Sequence, residues 1–149
     1  MITIIIYGLD QFVVGRLSRE MTPNLAKLYE LSEDEIIFIA PQNMVFHRGV
    51  EQTSWNIIIH VHAPKRAAVL QDQVAKLLLE SIGDVAINKI LEFYYYSESD
   101  RYSKLNENYP RFIAEDNLVD VASEEYEDME EGEGEDEIFT GDIFQNFHD

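Results

Sequence analysis

Two histidines inside an apolar segment are the residues of this chain whose type and spacing best suit chemistry. His60 and His62 lie two positions apart in the run 56–62. Side chains of a strand alternate between its faces, so both imidazoles are expected on one face. Imidazole pairs can bind a metal ion, but no acidic residue or cysteine stands nearby in the sequence. The alternative is a half-polar sheet face that the pair shares with Asn56.

His47 and Arg48 are the second group, in the segment 44–49, whose closing Gly49 predicts a short hairpin arm. A guanidinium can bind a carboxylate through two parallel hydrogen bonds; a solvated loop arginine is the alternative. The chain has no glycine-rich phosphate loop, nucleophile elbow or His-Glu metal helix. It also has no cysteine, which excludes disulfides and thiolate sites. We therefore predict no cofactor.

Three consecutive tyrosines form the third group, at the end of the aromatic run 89–96. Neighbouring side chains alternate between faces, and Tyr95 shares a face with Phe93. We therefore choose Tyr95 as the tyrosine that borders an apolar cavity. The alternative is a set of ordinary strand aromatics whose hydroxyl groups lie at the surface.

The net charge of −18 is distributed unevenly along the 149 residues. Residues 115–149 hold 15 acidic and no basic residues, which leaves 14 acidic and 11 basic residues, a charge of −3, in 1–114. We predict one domain over 1–114 and a disordered acidic tail over 115–149. Nucleic acid and membranes are disfavoured as partners, because their negative charges would be repelled. The N-terminal apolar run is too short for a span and lacks a basic leader, which favours a cytoplasmic protein.

The elements that must position these groups follow a strand–helix–strand order that occurs twice. The first strand is apolar on both of its alternating faces, so we expect it inside a sheet covered on both faces. The apolar stripe of the first helix continues through Pro23, which favours one kinked helix. The predicted elements are strands at 2–7, 35–40, 55–62 and 87–96, helices at 10–31 and 64–83, and a last short strand or arm at 110–114.

A duplicated β-α-β unit that begins at residue 1 resembles the tautomerase superfamily, which includes macrophage migration inhibitory factor, and within it an uncharacterised bacterial family. The resemblance covers about residues 1–112 and rests on the order of four stretches: the N-terminal strand, the helix within 12–31, the segment 60–64 that leads into the helix at 71–83, and the aromatic strand at 89–96. It implies an α/β (α+β) fold with a four-stranded sheet and two helices on one face. It also implies a homotrimer with an active site between subunits.

The same resemblance implies an N-terminal proline, exposed by removal of the initiator methionine, whose amine acts as a base. This chain has Ile2 instead, and its bulk predicts that Met1 is retained. The terminal amine is then displaced by one strand residue, about 3.3 Å, although proton transfer needs heavy atoms at about 2.6–3.2 Å. The resemblance places the arm and the aromatic strand beside this pocket, so the expected pocket residues are Met1, Ile2, His47, Arg48 and Tyr95, with no catalytic residue assigned.

Three functional hypotheses follow. The first is a trimeric binding module that is not an active tautomerase. The second is a keto–enol isomerase acting on small α-keto acids, with the Met1 amine, His47 or Tyr95 as its base. The third is an interaction hub: apolar residues spaced four apart in 138–147 predict a helical face that docks into a groove of a protein partner. A tail that only keeps the protein in solution is the alternative to the third.

Overall fold

The computed structural model describes residues 1–113. Its elements are β1 (Ile2–Tyr7), α1 (Gln11–Tyr29), β2 (Ile36–Ile39), β3 (Phe46–His47), β4 (Val50–Glu51), β5 (Asn56–Pro64), α2 (Gln71–Ile82) and β6 (Asn88–Tyr96). Four strands form one sheet in the order β2-β1-β5-β6, and β3 and β4 form a separate two-stranded arm. The tail predicted at 115–149, with its segment 138–147, lies outside the described residues.

The sheet is built from two β-α-β units. Strand β1 pairs in parallel with β2, and β5 pairs in parallel with β6, with one helix between the members of each pair. The two units meet where β1 pairs antiparallel with β5. The predicted fold class, a mixed α+β domain with four strands and two helices, is therefore confirmed.

One face of the sheet and the two helices enclose the core. Ile2, Ile4 and Ile6 are fully buried, and with the alternate residues of β5 they pack against the apolar stripes of α1 and α2. The other face is not covered by a helix among residues 1–113, and there Ile5 is only half-buried. Within the single chain, helices therefore cover β1 on one face only, although the sequence pattern predicted cover on both faces. The difference arises because both crossover helices lie on the same side of the sheet.

The helices begin and end where local chemistry allows. Asp10 caps α1 by accepting a hydrogen bond from the Phe12 N–H at 2.8 Å, and Pro23 lies inside this single helix, as predicted. The second helix starts later than predicted, because residues 65–70 form a tight 3-10 turn before α2. Residues 110–113 form no strand. Neither helix of residues 1–113 is long and apolar enough to cross a membrane.

We predict opposite effects of alanine at two glycines. Gly8 has φ +77°, and a Cβ there would lie 2.8 Å from the Asn56 carbonyl oxygen. We expect Gly8→Ala to destabilise the protein by about 1–3 kcal/mol, because the backbone is left-handed and crowded. Gly15 lies within α1, and a Cβ there would meet no atom beyond the backbone of its own helix within 4 Å, so Gly15→Ala should stabilise by up to about 1 kcal/mol. Urea denaturation measures both, and equal stability of the two variants would contradict this account.

Candidate functional site

The chain terminus is held by an ion pair. The Met1 ammonium group lies 2.7 Å from Glu35 Oε2. The parallel register of β1 and β2 places Ile2 opposite Ile36, so the residue before β2 comes level with the residue before β1. Glu35 reaches Met1 for this reason, although 34 positions separate the two residues in the sequence.

The Met1 carbonyl group is held from the other side. The Tyr96 hydroxyl donates to this carbonyl oxygen at 2.7 Å, and Arg101 Nη1 donates to it at 3.3 Å. Arg101 Nη1 also donates to the Tyr96 hydroxyl at 2.9 Å. The guanidinium carbon lies 5.5 Å from the centre of the Tyr96 ring. These contacts fix the Arg101 side chain at the start of the N-terminal strand.

A second arginine completes the group around the terminus. Arg111 Nη1 lies 3.1 Å from Glu35 Oε1, and Arg111 Nη2 lies 3.2 Å from the Met1 sulfur. The hydrogen bond from the Met1 ammonium lowers the pKa of Glu35 below its ordinary value, and Arg111 adds to this effect. The Arg111 guanidinium and the Met1 ammonium therefore flank one ionised carboxylate, and Arg101 adds a further positive charge at the Met1 carbonyl. This leaves local positive charge in an otherwise acidic chain.

These residues border a cavity of about 450 Å³, which we call the N-terminal cavity. Its position follows from the close approach of the β1 and β2 starts to the segment after β6. Its lining combines charged and apolar side chains: Met1, Glu35, Ile37, Arg101, Ser103, Leu105, Arg111 and Phe112.

A smaller cavity of about 320 Å³ lies on the uncovered face of the sheet, and we call it the sheet cavity. It is lined by Thr3, Ile5, His62, Tyr96, Asp100 and Arg101. Arg101 therefore stands in the walls of both cavities. None of the ion pairs within residues 1–113 includes Arg101, so its charge is not matched by a carboxylate of the described chain.

The two histidines lie on the same uncovered face, as predicted, in a cluster of rings. His60 Nε2 lies 3.0 Å from Glu92 Oε2, which also accepts from the Tyr94 hydroxyl at 3.0 Å. His62 stacks on Tyr94 with ring centres 4.9 Å apart. Burial, and then the neighbouring His60, lower the pKa of His62. Within residues 1–113 no group of three histidine or acidic side chains is placed to hold a metal ion.

The structure separates most of the predicted pocket residues. Met1 lines the N-terminal cavity, but Ile2 is fully buried in the core beneath the sheet. His47 and Arg48 are exposed on the β3–β4 arm and line neither cavity. The Tyr95 side chain packs on the helix side of the sheet, where its hydroxyl donates to Gln71 Oε1 at 3.0 Å. Within one chain these groups do not form a single site.

Four other residues take the positions around Met1, and the sequence carried only partial signals for them. Tyr96 belongs to the aromatic run, but alternation between faces directs it away from Tyr95, the residue that we chose. Glu35, Arg101 and Arg111 lie in polar segments that give no periodic pattern. The register of β1 with β2 would have identified Glu35, had the pairing been known.

Solved structures establish the fold. A domain of unknown function from Sebaldella termitidis aligns with a TM-score of 0.63 and 20% identity, over 69% of this chain and 95% of that one. A macrophage migration inhibitory factor-like protein from Entamoeba histolytica aligns with a TM-score of 0.55 and 10% identity, over 69% and 95%. A member of the cis-3-chloroacrylic acid dehalogenase family aligns with a TM-score of 0.54 and 10% identity, over 68% and 79%.

No family model and no curated protein sequence matches this chain. The structural likeness nevertheless shows that residues 1–113 have the fold of the tautomerase superfamily, as the sequence resemblance implied. At these identities the likeness defines the fold and leaves the chemistry to the residues of the site.

We predict that the free energy of unfolding changes less with acidic pH in the Glu35→Gln variant than in wild type. The folded-state pKa of Glu35 is lowered, so its stabilising contribution is present above its ordinary pKa of 4.5 and is lost as the pH falls through the folded-state value. At pH 7 the variant should be less stable by about 1 kcal/mol or less, because solvent screens a partly exposed pair. Below pH 4.5 the difference from wild type should shrink.

Urea denaturation across about pH 2 to 7 measures this difference. Glu33→Gln is the matched control, since Glu33 is exposed in the same turn and makes none of the ion pairs of residues 1–113. A constant gap between Glu35→Gln and wild type at every pH would refute the ion-pair explanation.

Proposed function

We propose that this protein is a binding module of tautomerase-like fold that recognises a small organic carboxylate through Arg101. The observation that carries the proposal is a guanidinium held by Tyr96 and by the Met1 carbonyl, unmatched by a carboxylate of residues 1–113 and shared by two cavities. Guanidinium groups bind carboxylates in a planar, bidentate manner, and such charge-assisted hydrogen bonds are stronger than neutral ones.

The surroundings of Arg101 favour a small ligand that is partly apolar. The cavities of about 320 and 450 Å³ lie in the lower part of the usual range for small-molecule sites. Ile5 lines one cavity and Leu105 the other, beside the charged groups. Because Tyr96 and Met1 already restrain Arg101, little side-chain freedom is lost when a carboxylate binds.

A binding role is favoured over base catalysis by the state of the chain terminus. Position 2 is Ile2, buried in β1, and the Met1 amine is engaged with Glu35 at 2.7 Å. An ammonium group in such an ion pair has no free lone pair to accept a proton from a substrate. The amine therefore contributes positive charge to the N-terminal cavity in this arrangement.

We predict that isocaproate binds the full chain and that isocaproamide, its neutral analogue, does not bind measurably. Arg101→Gln should weaken isocaproate binding by about tenfold or more, because a charge-assisted hydrogen bond contributes about 1.5–3 kcal/mol. Isothermal titration calorimetry measures both. Arg16→Gln, at an exposed position of α1, is the control with unchanged binding. Equal affinity of wild type and Arg101→Gln would reject the assignment.

We also propose that the chain forms a homotrimer through the outer strands β2 and β6 on the uncovered side of the sheet. Ile39, Ile90 and Tyr94 of these strands are 40–53% exposed, and the resemblance to the tautomerase superfamily implies three subunits. Burial of these side chains would remove apolar surface from water, while the sheet cavity at the central strand β1 would stay open to a ligand.

The mass in solution tests this assembly. Light scattering of the full chain should give three times the 17.3 kDa chain mass at neutral pH. Ile90→Glu should shift the population toward monomer, because the substitution places a charge on a surface that would be buried. Val69→Glu, at an exposed position of the turn before α2, is the control. A wild-type monomer at micromolar concentration would reject the trimer.

A keto–enol isomerase is the second candidate, because the terminal amine does line a cavity that two arginines border. One neighbour in fold is a member of the cis-3-chloroacrylic acid dehalogenase family, so the fold accommodates enzymes. If binding is the function, phenylpyruvate should not be converted between its keto and enol forms faster than in buffer. Turnover that Glu35→Gln changes, and that Glu33→Gln does not, would favour the isomerase instead.

A further inference from the structure

Two opposite charges line the sheet cavity side by side. Asp100 and Arg101 are consecutive residues at the end of the turn Glu98–Asp100, and both contribute to the cavity wall. The remaining lining residues are one aliphatic side chain, two rings and a threonine, with two hydroxyl groups among them: Thr3, Ile5, His62 and Tyr96. The cavity thus offers one cation, one anion and a mainly apolar floor.

Neither charge is neutralised within the described chain. Asp100 Oδ1 accepts a hydrogen bond from the neighbouring Ser99 hydroxyl at 3.2 Å, which is a neutral partner. Arg101 donates through Nη1 to two neutral oxygens, those of Tyr96 and Met1. No ion pair of residues 1–113 joins Asp100 to Arg101 or to another charged group. A ligand can therefore match both charges without first breaking a salt bridge.

His62 also lines the cavity, but its side chain does not add a fixed charge at neutral pH. Burial and the neighbouring His60 lower the pKa of His62, so its imidazole is mainly neutral there. Its ring is held against Tyr94. His62 thus acts as a flat, weakly polar wall.

We propose that the sheet cavity binds a free α-amino acid as its zwitterion, with the ligand carboxylate on Arg101 and the ligand ammonium on Asp100. This inference rests on the proposed recognition of a carboxylate by Arg101, and it adds the chemical class of the ligand and the cavity that holds it. A simple carboxylate would face the unmatched Asp100, and a simple amine would face Arg101. A zwitterion satisfies both groups, and Ile5 with the two rings suits an apolar side chain.

The test compares three ligands of similar size by isothermal titration calorimetry with the full chain at neutral pH. They are L-leucine, isocaproate, which lacks the amino group, and isoamylamine, which lacks the carboxylate. L-leucine should bind about tenfold or more tightly than either analogue, the equivalent of one additional charged contact. Asp100→Asn should reduce L-leucine affinity to that of isocaproate without weakening isocaproate. Asp84→Asn, at an exposed turn position, is the matched control with unchanged affinities.

The binding results distinguish a failure of this inference from a failure of the proposed function. Equal affinity for isocaproate and L-leucine in the wild type would overturn the amino-acid assignment and leave carboxylate binding by Arg101 intact. A preference for L-leucine that Asp100→Asn does not change would overturn the role of Asp100 and, with it, this inference. If none of the three ligands binds, both this inference and the proposed function are overturned.

Discussion

The pairing of β1 on both of its edges is the constraint on which the rest of the structure depends. Strand β1 lies between β2 and β5, so the first residues of the chain are bound to two neighbours and cannot move independently. The register with β2 brings Glu35 to the Met1 amine. The antiparallel register with β5, carried on into β6, brings Tyr96 level with the Met1 carbonyl. The candidate site is therefore a consequence of strand pairing at the terminus.

Charge is the second property that organises the molecule. The chain as a whole carries −18, but Arg101, Arg111 and the Met1 ammonium gather at the start of β1, where Glu35 is the carboxylate of residues 1–113 that pairs with two of them. An anion approaching this region meets positive groups at short range, although the net charge of the chain repels it at long range. Because salt screens the long-range repulsion more than a partly buried contact, the proposed recognition of a carboxylate at Arg101 depends on local geometry.

The start of β1 is where this chain departs from the pattern that the resemblance to the tautomerase superfamily implies. That pattern has an N-terminal proline whose amine supplies a base. Here the terminal ammonium belongs to Met1 and is engaged by Glu35, and the next residue is a buried isoleucine. A retained methionine displaces the amine by about one strand residue. In the binding role that we propose, this displacement removes the geometry that proton transfer needs and leaves the sheet, helices and cavities in place.

The sequence by itself determined the periodic features of this protein. A short apolar run rich in β-branched residues predicted β1, because such residues favour strands. The apolar stripe through Pro23 predicted α1, and the spacing of His60 and His62 predicted their common face, because helix and strand geometry set the direction of side chains from their spacing. Tertiary structure alone decided which tyrosine and which two arginines reach Met1, and that His47, Arg48 and Tyr95 lie apart from it in the single chain. Those contacts join residues up to 110 positions apart, and they depend on strand register and on the path of an irregular segment. Neither the register nor this path can be predicted from a local sequence pattern, because pairing partners are selected by the packing of the whole sheet.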